Sequence, residues 1–484
     1  MRSGLPTTLS RASELAAAGL LALALRGAPA LAADPSPAPP AQAPSPASPE
    51  PAPAASPPPA RREESPRRAL PDYDGRPAPG PDTGDVLLWV PRVLLFPIYF
   101  VTEVVIREPL GFLIAGAERN GWPAALYEFF TFGQEHQAGI VPTAYASFDF
   151  QPSVGLYGFW NDAFFKGHDL RLRAGFGGRQ WISAAVSERF YFDAERSHRL
   201  ALEAALLQRP DYTYFGLGPD TRQSDLSRYG QDLLEARLLY DQRGWRSNFL
   251  HAKVVLRSVD FRTGGYDGDP TLVERVAQGT FAPPPGYANG YELLATELIA
   301  AFDTRRAPPA SGSGLRAGAG AGYSFDLRER GGFVRYGAGV GAFWDVNQRQ
   351  RVLSLTATAR FVDPAGGGVI PFTELVSLGG TEPMRGLYPG RLYDRSSAVL
   401  DLSYRWPIWI WLDGSLHSEF GNVFGPHLDG FRAGRLRWSG ALGVESKGTP
   451  DSQFQLLIGV GTETFESGGK IDSLRIAAGA TSGF

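Results

Sequence analysis

The sequence contains no cysteine. This absence excludes disulfide bonds and thiolate-coordinated metal sites, and it leaves the cellular compartment open. Beyond its N-terminus the chain also lacks any run of about 18 uncharged apolar residues, so membrane-spanning helices are not expected. The net charge is only −3. A balance so close to neutral predicts neither nucleic acid nor another polyanion as a partner.

Recognisable catalytic, cofactor and metal-binding patterns are missing too. The six histidines show no metal-ligand spacing. Ser418 follows His417 directly, and neighbours in a strand point to opposite faces, so they cannot form a dyad. Asp267 and Asp269 offer two possible ligands for a divalent ion, but no complete set, and a solvated loop is expected there. We therefore expect no enzyme activity, no cofactor and no bound metal.

The first 33 residues have the pattern of a secretory signal peptide. Arg2 and Arg11 precede an apolar run over residues 16–25, and Ala30 and Ala32 are the small residues of a cleavage site. Residues 34–82 are rich in proline and alanine and predict a disordered linker. At about 3.1 Å per residue, an extended linker of this kind could reach on the order of 100 Å.

Residues 83–137 form an apolar block that Pro91, Pro97 and Pro109 interrupt. Because proline breaks a helix, the block predicts short amphipathic helices rather than one spanning helix. Such helices would lie on the membrane surface or pack as a small cap against the periplasmic end of the next domain. The sequence leaves both arrangements open.

From residue 138 onward, apolar and polar residues alternate. Apolar positions recur in the runs Leu170, Leu172, Ala174, Phe176 and Leu353, Leu355, Ala357, Ala359, Phe361. Counting such runs to residue 484 gives roughly sixteen strands of about ten residues, the scale of a lipid-spanning barrel. A soluble sandwich alternates as well, but here glycine and arginine occupy the polar faces and aromatic residues flank the apolar ones. We therefore expect an all-β, transmembrane antiparallel barrel over 138–484.

The chain ends on an alternating strand whose last residue is Phe484, with Gly479 five positions before it. This ending is similar to the C-terminal sorting signal of outer-membrane barrels. Ser482 stands where a second aromatic residue is more usual.

A glycine-flanked loop contains the motif Met384, Arg385, Gly386, Leu387 and Tyr388. An isolated Arg-Gly pair would ordinarily be a solvated turn. Here an amphipathic strand follows over residues 397–411, and then a strand that carries Glu419 and Gly421 over residues 416–425. The combination resembles the barrel domain of the BamA/TamA outer-membrane superfamily, the bacterial surface antigens. Leucine for phenylalanine at 387, histidine for phenylalanine at 417 and glutamate for aspartate at 419 depart from its pattern.

The resemblance implies that Arg385 lies in the lumen and pairs with Glu419, holding the long loop after the eleventh strand. It also implies insertion or translocation of proteins at a lateral seam of a Gram-negative outer membrane. The expected partners are outer-membrane lipids, lipopolysaccharide, client proteins and a periplasmic protein. The chain resembles the members of the superfamily without periplasmic POTRA domains. A passive channel or solute transporter, and a structural surface antigen or lipid-handling barrel, remain alternatives.

Overall fold

The computed structural model describes residues 116, 119–306, 312–346, 350–380, 383–409, 412–446 and 454–480. The predicted signal peptide and linker, most of the 83–137 segment, and Phe484 lie outside these residues. Within the described ranges, no helix is both long enough and apolar enough to cross a membrane.

The fold is the closed all-β barrel of sixteen antiparallel strands that the alternation predicted. Each strand pairs with its sequence neighbours, and the last strand pairs with the first. The barrel strands, numbered in chain order, are β1 Ala138–Ser147, β2 Ser153–Trp160, β3 His168–Gly178, β4 Trp181–Tyr191, β5 His198–Tyr214, β6 Ser227–Arg243, β7 Phe249–Thr263, β8 Tyr291–Asp303, β9 Gly314–Asp326, β10 Gly332–Val346, β11 Arg351–Ala365, β12 Ser396–Trp409, β13 Leu412–Phe424, β14 Arg437–Ser446, β15 Phe454–Thr462 and β16 Ile471–Ala480.

The elements outside the barrel are short. Helix α1 (Trp122–Phe130) and a two-residue strand (Thr131–Phe132) precede β1, and helix α2 (Leu272–Ala277) lies between β7 and β8. A small hairpin, Val376–Leu378 with Leu392–Asp394, belongs to the connection between β11 and β12.

The barrel wall has an apolar outer face and a polar inner face. On β3, Leu172 is 46% exposed on the outside, while its neighbour Arg171 is 8% exposed on the inside. Exposed aromatic residues such as Phe176, Phe302 and Trp344 lie near strand ends. This is the arrangement of a barrel in lipid, whose apolar belt meets acyl chains and whose aromatic girdles meet the headgroups.

Odd-numbered strands end at one end of the barrel, and that end carries the long connections. They span residues 215–226, 264–290, 366–395 and 425–436. Residues 366–395, called the inner loop below, follow the eleventh strand and contact residues on the inner wall of the barrel. The inner loop therefore brings side chains from this end of the barrel into the lumen.

Val340 on β10 tests the assignment of the two faces, because its side chain is 61% exposed on the outer wall. We expect Val340→Arg to lower the free energy of unfolding in lipid vesicles by about 2–4 kcal/mol, the cost of a lipid-facing cation near mid-bilayer. The lumen-facing control Thr358→Arg on β11 should cost much less. Equal losses in urea unfolding would contradict this assignment of the faces.

Candidate functional site

The inner loop has its own small apolar core. Met384 and Leu387 are fully buried with Leu378, Leu392 and Val423. Met384 adopts a positive φ of 64°, a conformation that few residues other than glycine take up. The core fixes the turn on both sides of Arg385, so the guanidinium group projects from a packed scaffold rather than from a free tip.

Arg385 and Glu419 meet inside the barrel. Arg385 Nη1 donates to Glu419 Oε1 at 2.5 Å, and the backbone N–H of Arg385 donates to Oε2 at 2.6 Å. Ser439 on β14 adds a third donor to Oε2 at 3.0 Å. Glu419 has no exposed surface. A buried carboxylate is stable only when it is paired and hydrogen-bonded, and these three donors meet that requirement.

Gly386 lies directly on the wall formed by the last strands. Its N–H donates to Ser439 Oγ at 2.8 Å, and its carbonyl accepts from Ser473 Oγ on β16 at 2.9 Å. A Cβ at this position would lie 2.0 Å from the carbonyl oxygen of Val460 on β15. Only glycine therefore allows the loop backbone to approach the wall so closely.

The last strand holds the loop from its other side. Arg475 on β16 is buried, and its Nη1 donates to the carbonyl oxygens of Gly380 at 2.7 Å and Arg385 at 3.1 Å. Through Glu419, Ser439, the backbone at Val460 and Arg475, the Arg385–Gly386 dipeptide is in contact with each of the four strands β13 to β16. These strands form the wall that ends at the seam with β1.

A second charged cluster holds the base of the inner loop against the opposite wall. Glu374 Oε1 accepts from Arg257 Nη1 on β7 at 2.7 Å and from the Tyr291 hydroxyl on β8 at 2.8 Å. Its Oε2 accepts from Arg335 Nη2 on β10 at 2.7 Å. Burial alone would raise the pKa of Glu374, but the two arginines outweigh it and the pKa is lowered. The loop thus spans the lumen between two buried carboxylates.

The sequence reasoning missed Glu374. A single glutamate in a loop predicts a solvated side chain, and its three partners come from strands that are 39 to 117 residues away in the chain. No local signal distinguishes it from an ordinary surface acid.

Arg391 was missed for a similar reason. It is fully buried beneath the connection between β5 and β6. Its guanidinium donates to Thr221 Oγ1 at 2.6 Å and Asp472 Oδ2 at 3.3 Å, and it lies 4.7 Å from the centre of the Phe215 ring. Burial, and then the nearby cation of Arg437, lower the pKa of Arg391 to about 10. Arg391 therefore holds the inner loop against the segment 215–221 between β5 and β6.

Tyr388, the last residue of the predicted motif, points away from the Arg385 pair. Its ring packs edge-on against Phe150 with centroids 5.8 Å apart, and it approaches Phe215 at 6.5 Å. Burial, and then the carboxylate of Asp149, raise the pKa of Tyr388 to about 12. Both Asp149 and Phe150 belong to the connection after β1, so Tyr388 links the inner loop to the first strand's side of the seam.

Two of the predicted glycines, Gly421 and Gly479, have steric roles. A Cβ on Gly421 would lie 2.7 Å from Val399 Cγ2 on the neighbouring strand. Gly479 lies in β16 opposite Tyr145 of β1, and a Cβ there would lie 2.3 Å from the Ala144 carbonyl oxygen. Gly479 therefore permits close contact at the seam. Its part in a sorting signal remains a prediction, because Phe484 lies outside the described residues.

Asp401, His417 and Glu419 bring potential ligand atoms within 4.8 Å of one another, a grouping that could hold a metal ion. Arg385 already supplies a cation there. Its Nη1 lies 2.5 Å from Glu419 Oε1 and 3.8 Å from Asp401 Oδ2. A divalent ion would have to displace the guanidinium group, so the arrangement fits the ion pair better than a metal site.

The barrel is similar to solved structures of outer-membrane proteins. BamA from Haemophilus ducreyi lacking POTRA domains 1–3 aligns with a TM-score of 0.50 and 12% identity over 71% of this chain and 70% of that one. CdiB from Acinetobacter baumannii aligns with a TM-score of 0.43 and 10% identity over 71% and 59%, respectively. OmpT of Vibrio cholerae aligns with a TM-score of 0.31 and 10% identity over 71% and 97%.

No protein-family model and no curated protein sequence matches the chain. At these identities the similarity to BamA shows a shared fold. The chain therefore has the fold of an outer-membrane β-barrel, and its activity has to be argued from its own residues.

Loss of the Arg385 side chain should be costly because it leaves the Glu419 carboxylate buried without its ion-pair partner. We expect Arg385→Ala to destabilise the barrel by about 3–5 kcal/mol. The double variant Arg385→Ala/Glu419→Gln removes the charge and should recover part of that loss. Urea unfolding and protease cleavage of the inner loop measure both effects. No recovery in the double variant would contradict an electrostatic origin.

The Glu374 cluster predicts a dependence on pH. The folded pKa of Glu374 lies below its usual value of 4.5, so its stabilisation is complete above that value and is lost as pH falls through the lowered folded pKa. The difference in melting temperature between wild type and Glu374→Gln should be constant from about pH 7 to 5 and shrink below about pH 4.5. Glu329→Gln, at an exposed loop position, is the control. A difference that persists in acid would show that the ionised carboxylate is not its source.

Proposed function

We propose that this barrel acts at its β16–β1 seam, in the insertion or translocation of proteins at a Gram-negative outer membrane. The observation that supports this proposal is the pairing between β16 and β1. Among the described residues, β16 pairs with β1 only at Ala477–Ser147, Ala478–Ala146 and Gly479–Tyr145. Among the described residues, the shortest other ladder between barrel strands covers seven residue pairs. A ladder's stability grows with its length, so in this proposal the wall opens at this junction.

The inner loop supports the same proposal. Its Arg385–Gly386 segment ties together β13, β14, β15 and β16, which are the strands on one side of the seam. A wall that is braced on this side would move as a unit if the junction opened. The backbone groups released at its edge would then pair with an extended strand of a client protein.

The loop also bears on the alternative of a passive channel. It is anchored by Glu374 on the β7, β8 and β10 side and by Arg385 on the β13 to β16 side, so it crosses the lumen. A transverse, doubly anchored segment favours an obstructed lumen over steady conduction. In this proposal the lipid-facing belt contacts outer-membrane lipids and lipopolysaccharide, and clients and a periplasmic protein are the protein partners.

A disulfide across the seam tests the proposal, because the chain has no cysteine of its own. Ser147 and Ala477 are opposed, buried residues whose replacement by cysteine changes little volume. We expect Ser147→Cys/Ala477→Cys to form a cross-link and to abolish complementation of a deletion strain, as read by quantitative outer-membrane proteomics. Chemical reduction should restore complementation.

The matched control is Ala185→Cys/Ala205→Cys, an opposed pair between β4 and β5 in the intact wall. This variant should complement in the oxidised and reduced states. If the deletion leaves the outer-membrane proteome unchanged, the assembly function is wrong. Conductance and lipid-export measurements would then decide between a channel, a lipid-handling barrel and a structural surface antigen.

A further inference from the structure

The backbone of β1 has two edges, and two hydrogen bonds identify which residues face each one. Phe148 N–H, just after β1, donates to Ile476 O of the last strand at 2.7 Å, so this position faces the seam. Gln137 O, just before β1, accepts from Asn161 N at 2.7 Å and faces β2. Backbone groups alternate along a strand, and the β1–β2 register has no bulge. Even-numbered residues of β1 therefore face the seam.

A strand from the same chain already occupies the lower part of this edge. Phe132 pairs with Ala138 and Thr131 pairs with Gly139, both antiparallel. The opposite edge at these positions is taken by β2, through Ala138–Trp160 and Gly139–Phe159. Thr131–Phe132, called the edge cap below, is therefore on the seam side, where the last strand or a client strand would otherwise pair.

The edge cap is held by several contacts. The Thr131 hydroxyl donates to the Tyr127 carbonyl of α1 at 2.5 Å and contacts His136 Nδ1 at 2.8 Å. The rings of Tyr127 and His136 are 4.9 Å apart. A Cβ on Gly139 would lie 2.7 Å from the Phe130 carbonyl oxygen, so the cap lies close against β1. The chain turns back on itself between residues 132 and 138 to reach this position.

Pro142 weakens strand pairing along the rest of the seam-facing edge of β1. As an even-numbered residue of β1 it faces the seam, and proline has no N–H to donate to a partner strand. Residues 140–144 lie between the cap, whose pairing ends at Gly139, and the described register with β16, which begins at Tyr145. Ile140 and Ala144 are then the two N–H donors of this stretch that face the seam.

We propose that the edge cap and Pro142 together guard β1 against pairing with extended chains, and that an entering strand must displace Thr131–Phe132. The partner of this surface is an extended segment of an unfolded β-barrel protein, and naming it so rests on the proposed function. Proteins commonly protect exposed sheet edges with proline and with short covering segments, since an open edge pairs indiscriminately. Here the edge cap belongs to the segment just before the barrel. Movement of that segment would therefore control access to the seam.

The test uses the purified full-length protein in lipid vesicles and a defined peptide. The peptide has the sequence of β16, residues 471–480, with Ala480→Cys activated as a mixed disulfide, because continuation of the β16–β1 register places this position opposite Ala144. The protein carries Ala144→Cys, which lies outside the cap on the guarded edge. Disulfide capture of the peptide at Ala144→Cys then reports strand pairing at this edge.

Phe132→Pro removes the N–H that pairs with Ala138, and Phe132 is 53% exposed, so no core packing is lost. We expect capture to rise roughly two- to tenfold over the matched variant Phe132→Ala, the factor that corresponds to one lost hydrogen bond. Thr131→Val loosens the cap without a proline and should raise capture in the same direction. Pro142→Ala restores a donor and should also raise it.

Val154→Cys on β2 is the control position, because it is exposed on the outer wall beside Ala144 but lies in an intact ladder. Capture there should not respond to any of these variants. Equal capture in Phe132→Pro and Phe132→Ala, or an equal rise at position 154, would overturn the proposal. The assay contains no client and no cells, so its result is independent of whether deletion changes the outer-membrane proteome.

Discussion

The ion pair between Arg385 and the fully buried Glu419 is the interaction on which the arrangement of the lumen depends. A carboxylate on the inner wall without a cation would carry an uncompensated desolvation cost, and the guanidinium that meets it comes from a loop thirty-four residues earlier in the chain. Pairing the two charges therefore forces the loop into the barrel. The other features of the lumen, including the glycine at 386 and the arginine at 475, fit the backbone that this pair puts in place.

The pair acts together with a second one of the same kind. Glu374 draws the base of the loop to Arg257 and Arg335, while Arg385 draws its tip to Glu419. Neither contact alone would hold a thirty-residue connection across a lumen, because the segment between them would keep much of its conformational freedom. Two anchors on opposite walls remove that freedom. The two anchors also connect the wall formed by β13 to β16, which ends at the seam, with the wall formed by β7, β8 and β10.

The fold could be predicted from the sequence because apolar and polar residues alternate along many strands. A run such as Leu170 to Phe176 indicates which face of a strand contacts lipid, and many such runs together indicate a membrane barrel. The functional residues carry a weaker signal. Arg385 and Glu419 were connected through a family resemblance, since a loop arginine and a strand glutamate have no pattern of their own.

Glu374 and Arg391 could not be found in this way, because their burial depends on partners far away in the chain. The edge cap could not be predicted from the sequence either. The block at 83–137 was expected to form short helices, and α1 is one, but the pairing of Thr131–Phe132 with β1 depends on two residues at the end of that block. A two-residue strand is too short to produce a periodic signal.

A barrel normally removes the problem of open sheet edges by closing on itself. Among the described residues, the ladder that closes this barrel covers three residue pairs, and two further features lie on the same edge of β1. The chain supplies a proline within the strand and a short strand of its own at the base. Both devices act on the same side of β1, and both leave the pairing with β2 untouched. Both features disfavour pairing of this edge with a foreign strand. In the proposed function, the inner loop would brace the junction on one side and the edge cap would cover it on the other until an entering strand displaced Thr131–Phe132.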